Sequence, residues 1–546
     1  MLQRRQLLQF AGVAAVAGAG GAAWMAYRSD RATAGVAGSF KNYPFDPVDA
    51  ANFQQKLFMP GAGGPLGVLD VTAPIKIKAG AGSFALLPQR ESPFLLYQTD
   101  YAGKAYQNPI LRIESGGRFT ATLDNALKQP TIIHWHGLHT PANMDGHPAS
   151  TISPGKRYDY DFKVSNRGGT YWYHTHAHEL TAEQAYHGLA SFFLVEDDDQ
   201  RKLAQALDLT LGVTDLPIVI QDKQFDAGGK LLYKPGPHEA MMGWLGDIVL
   251  CNLTPNAVQS VLPRSYRLRL LNGSNARIYR LGFASGPAAL GFTVIGTDGG
   301  LLERPEAATE AFIAPGERLD ILFDAGQVPV GSDVFLKSLA FDAMENEGGM
   351  GGMPGMPGMG QMMASMSSSR LPLGAEFNIL KLSVVAGERV IAQLPTALSS
   401  IKPIATAGAA ERKIELSMGQ MRFLINGLTF RMSEIAFDVK RNAVEVWRIS
   451  NPAIGMPHPM HIHGFSFQVL ERIGSPPQVA GAARFGKGRV VTDLGWKDTV
   501  LVWPGETVRI AIDFTHDFPG DQTYVFHCHN LEHEDAGMMI NFRVKA

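Results

Sequence analysis

Cysteine is scarce in this chain: its 546 residues carry only two, Cys251 and Cys528. No disulfide framework can be built from them, so stability has to come from packed cores. Net charge is also nearly absent, at minus two, which gives no basis for binding nucleic acid. Beyond the first residues no apolar run is long enough to span a membrane. What the chain has instead is 59 glycines and 33 prolines. They separate many short runs of Val, Ile, Leu and Phe, as in Leu268 to Asn272, a spacing that argues for β-sandwiches or barrels rather than helices. About 500 residues exceed one domain and fit three of the usual sandwich size.

Near the N-terminus, Arg4-Arg5-Gln6-Leu7-Leu8 precedes a weakly apolar run from Phe10 to Ala23. This resembles a twin-arginine export signal, which implies a bacterial, periplasmic location. The competing reading is a membrane anchor, but the run is rich in Ala and Gly and shorter than the roughly 20 apolar residues a spanning helix needs. No clean A-x-A marks cleavage, and the zone from Arg28 to Phe40 is the candidate.

Histidine is the residue with pattern. Of 16 histidines, 10 fall in four segments: His134-Trp135-His136, His174-Thr175-His176, His458-Pro459-Met460-His461-Ile462-His463, and the stretch from His527 to Met539. That last stretch reads HCHNLEHEDAGMM, with Cys528 between His527 and His529, His533 five residues after the cysteine and Met538 ten residues after it. A thiolate, imidazoles and a distant thioether suit a copper ion cycling between Cu(I) and Cu(II). In a strand, alternate side chains point to opposite faces, so Cys528 faces one way and both flanking histidines the other. Each upstream HxH pair likewise presents two imidazoles on one face. Surface or core histidines would account for a lone residue and account badly for four clustered sets.

With these motifs the chain resembles the multicopper oxidases, the family of laccases, ascorbate oxidases and bacterial cuprous oxidases. The similarity runs from about residue 45 to the C-terminus. It implies an all-β fold of three consecutive cupredoxin-like Greek-key β-sandwich or barrel domains. It also implies four copper ions. His458, Cys528, His533 and axial Met538 match the type 1 copper, His134 and His461 the type 2 copper, and His136, His174, His176, His463, His527 and His529 the type 3 pair. O2 is the implied acceptor, the donor is Cu(I) or a phenol, and a monomer is expected.

The expected organisation is a signal and flexible lead-in over 1–40 and a first domain over 45–198 that ends in the acidic turn Asp197-Asp198-Asp199. A second domain over 199–388 contains Arg264 to Asn272 and Phe312 to Phe323 but no ligand motif, so its role is mechanical spacing. A linker over 389–410 leads to a third domain over 411–546. The ligand pairs come from the first and third domains, and the cluster must lie between them, tying metal loading to domain docking. Cys251 lies in the apolar stretch Asp247 to Leu253 and is expected to pack as a small hydrophobe.

Met344, Met350, Met353, Met356, Met359, Met362, Met363 and Met366 sit among Gly, Pro and Ser. Such low complexity cannot build a core and reads as a mobile loop. Thioethers select Cu(I), so the segment is either a flap for cuprous ion or an idle linker, and eight methionines in 23 residues exceed what flexibility needs. A similar segment marks bacterial cuprous oxidases, which the chain also resembles at Gly495-Trp496-Lys497-Asp498-Thr499-Val500. It departs from them in two ways. Their insert falls in the third domain, and the acidic position beside the candidate substrate residue Met432 is here Arg431, a cation that would repel cuprous ion. Glu434 is a second candidate at that position.

Reducing O2 to water takes four protons, for which Asp145 and Glu534 match family acids, although Asp145-Gly146 would otherwise read as a turn. His139, His147, His178, His187, His238 and His516 are expected to be non-ligands, with His139 and His178 placed to orient ligands. Readings from other classes are a copper-storage protein sharing the Met-rich loop, a cell-division or scaffold member of the fold, and a two-domain copper nitrite reductase. The complete ligand set weighs against all three.

Overall fold

The structure is a computed structural model that describes residues 45–87, 90–226, 228–345, 369–391, 393–419, 422–453 and 455–546. The export signal and all of the methionine-rich segment after Glu345 lie outside the described residues. Strands dominate, and among the described residues the longest helix has ten residues. No described helix is long and apolar enough to cross a membrane.

Six sheets stack as three pairs along the chain. The first pair joins a six-stranded sheet, centred on Ile75–Leu87 and Arg90–Tyr101, to a five-stranded sheet ordered Val68–Asp70, Ile110–Glu114, Ala190–Glu196, Gly169–Thr175, Ile133–His134. The second pair consists of two seven-stranded sheets. The third has two five-stranded sheets, one of them ordered Ile435–Lys440, Met539–Lys545, Gln522–Cys528, His458–Ile462, Thr499–Val502. Each pair encloses its own apolar core, around Trp135 and Phe119 in the first, Leu268 and Phe323 in the second, and Trp447 and Phe526 in the third. Each such large side chain stabilises by roughly 1.5–3 kcal/mol on burial.

Strand alternation then sets what faces outward from each core. In Gly169–Thr175, Tyr171 and Tyr173 enter the first core, which leaves Trp172 and His174 on the opposite face. In Gln522–Cys528, Tyr524, Phe526 and Cys528 enter the third core and His527 does not. Both strands are buried on both faces, so the first and third units meet over their histidines.

Two sequence expectations are revised. The first unit is expected to begin at residue 45, yet Gln55–Lys56 pairs in parallel with Ala257 and Val258, and Leu57 joins the second core. A two-residue edge strand has no pattern of its own to announce its partner. The aspartate triplet is the start of the helix Asp198–Leu207 rather than a turn: the Asp197 carboxylate accepts from Gln200 N–H at 2.9 Å, and Asp198 and Asp199 sit in the positive first turn. The linker is packed down, because Leu398 is buried among Leu203, Leu207, Ile295, Leu301 and Leu322. Cys251, as expected, is a fully buried free thiol in the second core.

A buried ionic lattice docks the second unit on the third. Lys497 Nζ lies 2.9 Å from Asp298 and 2.8 Å from Glu317, and Arg318 Nη1 donates to Asp498 at 2.8 Å. Removing one partner from such a lattice strands the others in a medium that cannot solvate them. K497M should therefore cost about 3–5 kcal/mol, read as a lower denaturant midpoint of the copper-free protein. A loss below about 1 kcal/mol would place these charges in water.

Candidate metal centres

The cross-strand register places the motif residues side by side. His174 pairs with His134 across one ladder, and Met460 pairs with Cys528 and His461 with His527 across another. Two ring pairs then stack between the first and third units, His134 on His463 with centroids 3.6 Å apart and His136 on His461 at 3.7 Å. All ten motif histidines are buried. Their donor atoms converge in sets within 4.8 Å: His134, His136 and His461; His136, His174 and His529; His176, His463 and His527; and His458, Cys528 and His533.

The fourth set depends on a turn. After Cys528 the chain reaches Asn530, whose side-chain carbonyl accepts from His533 N–H at 3.4 Å and caps the five-residue helix Leu531–Asp535. That turn brings His533 Nδ1 within 3.6 Å of Cys528 Sγ, and His458 Nδ1 approaches from its strand to 3.5 Å. Met538 is fully buried in the same core as Cys528, and its carbonyl accepts from Cys528 N–H at 3.0 Å.

The ring nitrogens identify what the sites fit. His134 Nδ1–H donates to Asp145 O at 2.7 Å, His461 Nδ1–H to Asp498 O at 2.8 Å, and His527 Nδ1–H to Cys528 O at 3.0 Å, while His463 Nδ1–H donates to Asp145 Oδ2 at 2.6 Å. With the proton on Nδ1, each Nε2 carries a lone pair. Even so, Nε2 faces Nε2 at 3.3 Å between His134 and His461 and at 3.1 Å between His463 and His527. His136 is reversed, giving Nε2–H to Asp498 Oδ1 at 2.9 Å and leaving its buried Nδ1 without a protein partner. His174 Nε2 and both nitrogens of His529 are likewise buried without one. Burial favours the neutral form of most of these groups, pushing His174 down to about 3 and His533 to about 4, and His134, His136, His463, His527 and His529 well below the usual range. Opposed neutral lone pairs repel, and a shared cation resolves the conflict. Imidazoles with one thiol and a thioether suit copper.

Besides Asp498, two further carboxyls touch the cluster. Besides holding His463, Asp145 is fully buried, and Glu534 lies 3.2 Å from His527 Nδ1 and 3.6 Å from His176 Nε2. Burial raises both pKa values well above the ordinary carboxyl range. Either acid can thus hold a proton beside the site.

The remaining candidates lie elsewhere. Met432 is exposed, and Arg431 is directed to solvent with its guanidinium 3.7 Å from Glu434, so its charge is partly matched. Of the methionine-rich segment only Met344 is described, partly buried against the third core. His139 does orient a ligand turn, giving Nδ1–H to Gly464 O at 2.6 Å, whereas His178 lies against Phe430. His147 bonds Asn541, His187 bonds Glu183 O and His516 accepts from Phe518 N–H, and none of them belongs to the four sets. Sequence reasoning passed over three residues. Asp498 holds His136, Arg318 holds Asp498, and Met241 O accepts His533 Nε2–H at 2.8 Å. Only Asp498 lay in a recognised motif.

Comparison with known proteins gives the family. Family models described as multicopper oxidase match residues 98–200 and 404–546. The chain is 31% identical over 440 residues to the multicopper oxidase mco of Staphylococcus haemolyticus, covering 80% of this chain and 81% of that protein. It is 30% identical to the cell division protein FtsP of Xenorhabdus nematophila, over 79% of this chain and 82% of that one. The crystal structure of McoA multicopper oxidase from the hyperthermophile Aquifex aeolicus superposes with a TM-score of 0.78 at 38% identity, covering 90% of this chain and all of the other. The chain belongs to the multicopper oxidase family, and its three units are cupredoxin-like.

Gly146 follows Asp145 at φ +84°, and a Cβ there would overlap the Ile133 carbonyl and press His134 Cα at 2.7 Å. G146A should push His134 out of register. The expected result is a lower copper content with the Cys528 absorption kept; a full copper complement would show that the site tolerates the shift.

Proposed function

We propose that the protein couples one-electron oxidation of a donor, cuprous ion in copper detoxification, to reduction of O2 to water. The observation that carries this reading is one strand end, Phe526 to His529, which contributes Cys528 to one donor set and its two neighbours to two others. His458, Cys528, His533 and Met538 would hold the type 1 copper, and His134 and His461 the type 2 copper. His136, His174 and His529 would hold one type 3 ion, and His176, His463 and His527 the other, giving four in all. Copper, when bound, supplies the one-electron steps and the site of oxygen reduction.

The chain's own atoms do the rest. Cys528 is covalently continuous with His527 and His529, so the two sites are joined through a few backbone bonds. Asp145 Oδ2 fixes the His463 tautomer, and Glu534 stands within reach of two rings of the same set. Both acids are placed to pass protons to the reacting oxygen, and burial raises their pKa values, which favours the protonated form. The histidines that would hold the other three coppers are buried, which would exclude bulk water from the reacting oxygen.

Support for cuprous ion comes from the eight methionines between 344 and 366, soft ligands in a number no spacer requires. A phenolic donor, as in a laccase, is the alternative. A cell-division role, as in the name of FtsP, is disfavoured by a donor set complete to the last imidazole. The twin-arginine segment supports export to the periplasm, where cuprous ion would be met.

C528S should abolish the intense blue thiolate absorption and turnover while the other three coppers remain bound. A colourless fully loaded parent protein would refute the assignment. Deleting residues 344–366 should sharply lower oxygen consumption with Cu(I) and leave or raise it with a phenol, Fe(II) and Mn(II) serving as controls. Equal loss on all donors would remove the case for a cuprous-specific segment.

A further inference from the structure

His533 has one group that can point away from the Cys528 set. Its Nδ1 faces Cys528 Sγ, so Nε2–H is the outward atom, and that hydrogen is already donated to Met241 O. The ring is fully buried. A phenol that sought a hydrogen bond with this imidazole would have to displace a backbone carbonyl.

Met241 belongs to the short helix Pro237–Met242, supplied by the second unit between Asp215–Lys223 and Ile248–Cys251. Both flanks of the helix return to one carboxylate. Tyr233 O–H donates to Glu532 Oε1 at 3.0 Å and Trp244 N–H donates to Oε2 at 3.0 Å, while Asn275 Nδ2–H donates to Oε1 at 2.8 Å. Glu532 precedes His533 in sequence. The helical turn that presents the histidine therefore also grips both ends of the segment that covers it. Inside the segment, Gly236 N–H donates to Glu239 Oε2 at 3.0 Å and Gly243 N–H to Glu239 O at 2.7 Å. At Gly243, φ +87°, a Cβ would overlap Ala276 and lie 2.7 Å from Asn530 Nδ2, so the cover is closely seated on the cap of the Leu531–Asp535 helix. Met242 packs partly buried against the third core.

We propose that Glu532 is a positioning residue that clamps residues 233–244 as a cap over His533, and that this cap selects small metal-ion donors by denying bulky aromatic ones direct contact with the imidazole. The inference rests on reading His458, Cys528 and His533 as the electron-accepting centre. It does not rest on the methionine-rich segment. Glu532 touches neither donor nor metal and acts only through the placement of Met241 O.

The test uses the full chain with E532A, E532Q and Y233F, the last leaving the neighbour of His533 untouched. In hydrogen exchange of the copper-free protein, amides 240–244 should exchange about tenfold faster in E532A, the size expected for losing a net hydrogen bond or more. In the copper-loaded protein, kcat/KM for a bulky phenol relative to Cu(I) should rise about tenfold, mainly through KM, with the blue absorption retained. E532Q keeps one acceptor oxygen and should fall between E532A and the parent. Y233F should shift exchange and donor ratio in the same direction by less, and decides the matter should E532A not fold. Unchanged exchange in both variants overturns the clamp, and faster exchange with an unchanged donor ratio overturns the selection. A parent lacking blue absorption would instead overturn the reading of the centre itself.

Discussion

Unprotonated imidazole lone pairs, buried and aimed at one another, are the constraint around which this molecule is organised. In a low-dielectric interior an unmatched acceptor is costly, and here several are pressed together at hydrogen-bonding distance with no hydrogen between them. The rings hold that arrangement because their other nitrogens are committed. His134, His174, His461 and His527 each give Nδ1–H to a backbone carbonyl, so ring orientation is written into the strands and the loops beside them. The repulsion among the lone pairs is the affinity of the site for a cation in another form. Since the rings come from two units, metal affinity and docking of those units are one free energy divided between two processes.

The period of two along a strand does the rest of the organising. Cys528 faces the third core with Phe526 and Tyr524, where water is excluded; burial pushes its thiol pKa far up, so a bound metal must replace the proton. His527, one residue away, faces the interface. His461 repeats the pattern against Met460 and Ile462, which turn into the core. A single-residue slip in either strand would exchange the cysteine face for the histidine face, so register is what keeps two chemically different sites apart at the shortest covalent distance.

This local periodicity explains what could be read from sequence. The HxH pairs and the cysteine between histidines carry their geometry within three residues, and the structure gathers those residues into compact sets. His139 and Asp145 stood near enough to the motifs to be suspected. Met241 could not be, because its contact with His533 spans 292 residues and is made by a backbone carbonyl, which has no side-chain signature. Glu532, two residues before Glu534, carries no sequence mark of its own role, since burial and partners, not residue type, separate the two. The aspartate triplet shows the same limit on a smaller scale. Asp favours turns and N-caps by one chemistry, a short acceptor reaching a free N–H, and only the following ten residues decide between them.

The second unit is where sequence reasoning was furthest from the molecule. It supplies no ligand, and spacing was the natural role for it. Yet Arg318 holds Asp498, Asp498 takes the His136 N–H, and the Pro237–Met242 helix lies on His533. One side of the unit thus orients a ring where oxygen would be reduced, and another covers the ring where electrons would enter. Both contacts act on ligands that other units provide, and neither changes the ligand set. On the proposed cap, the atoms that govern access to His533 are not among those that would bind the metal, so the second unit would act on donor choice while leaving the ligand set unchanged.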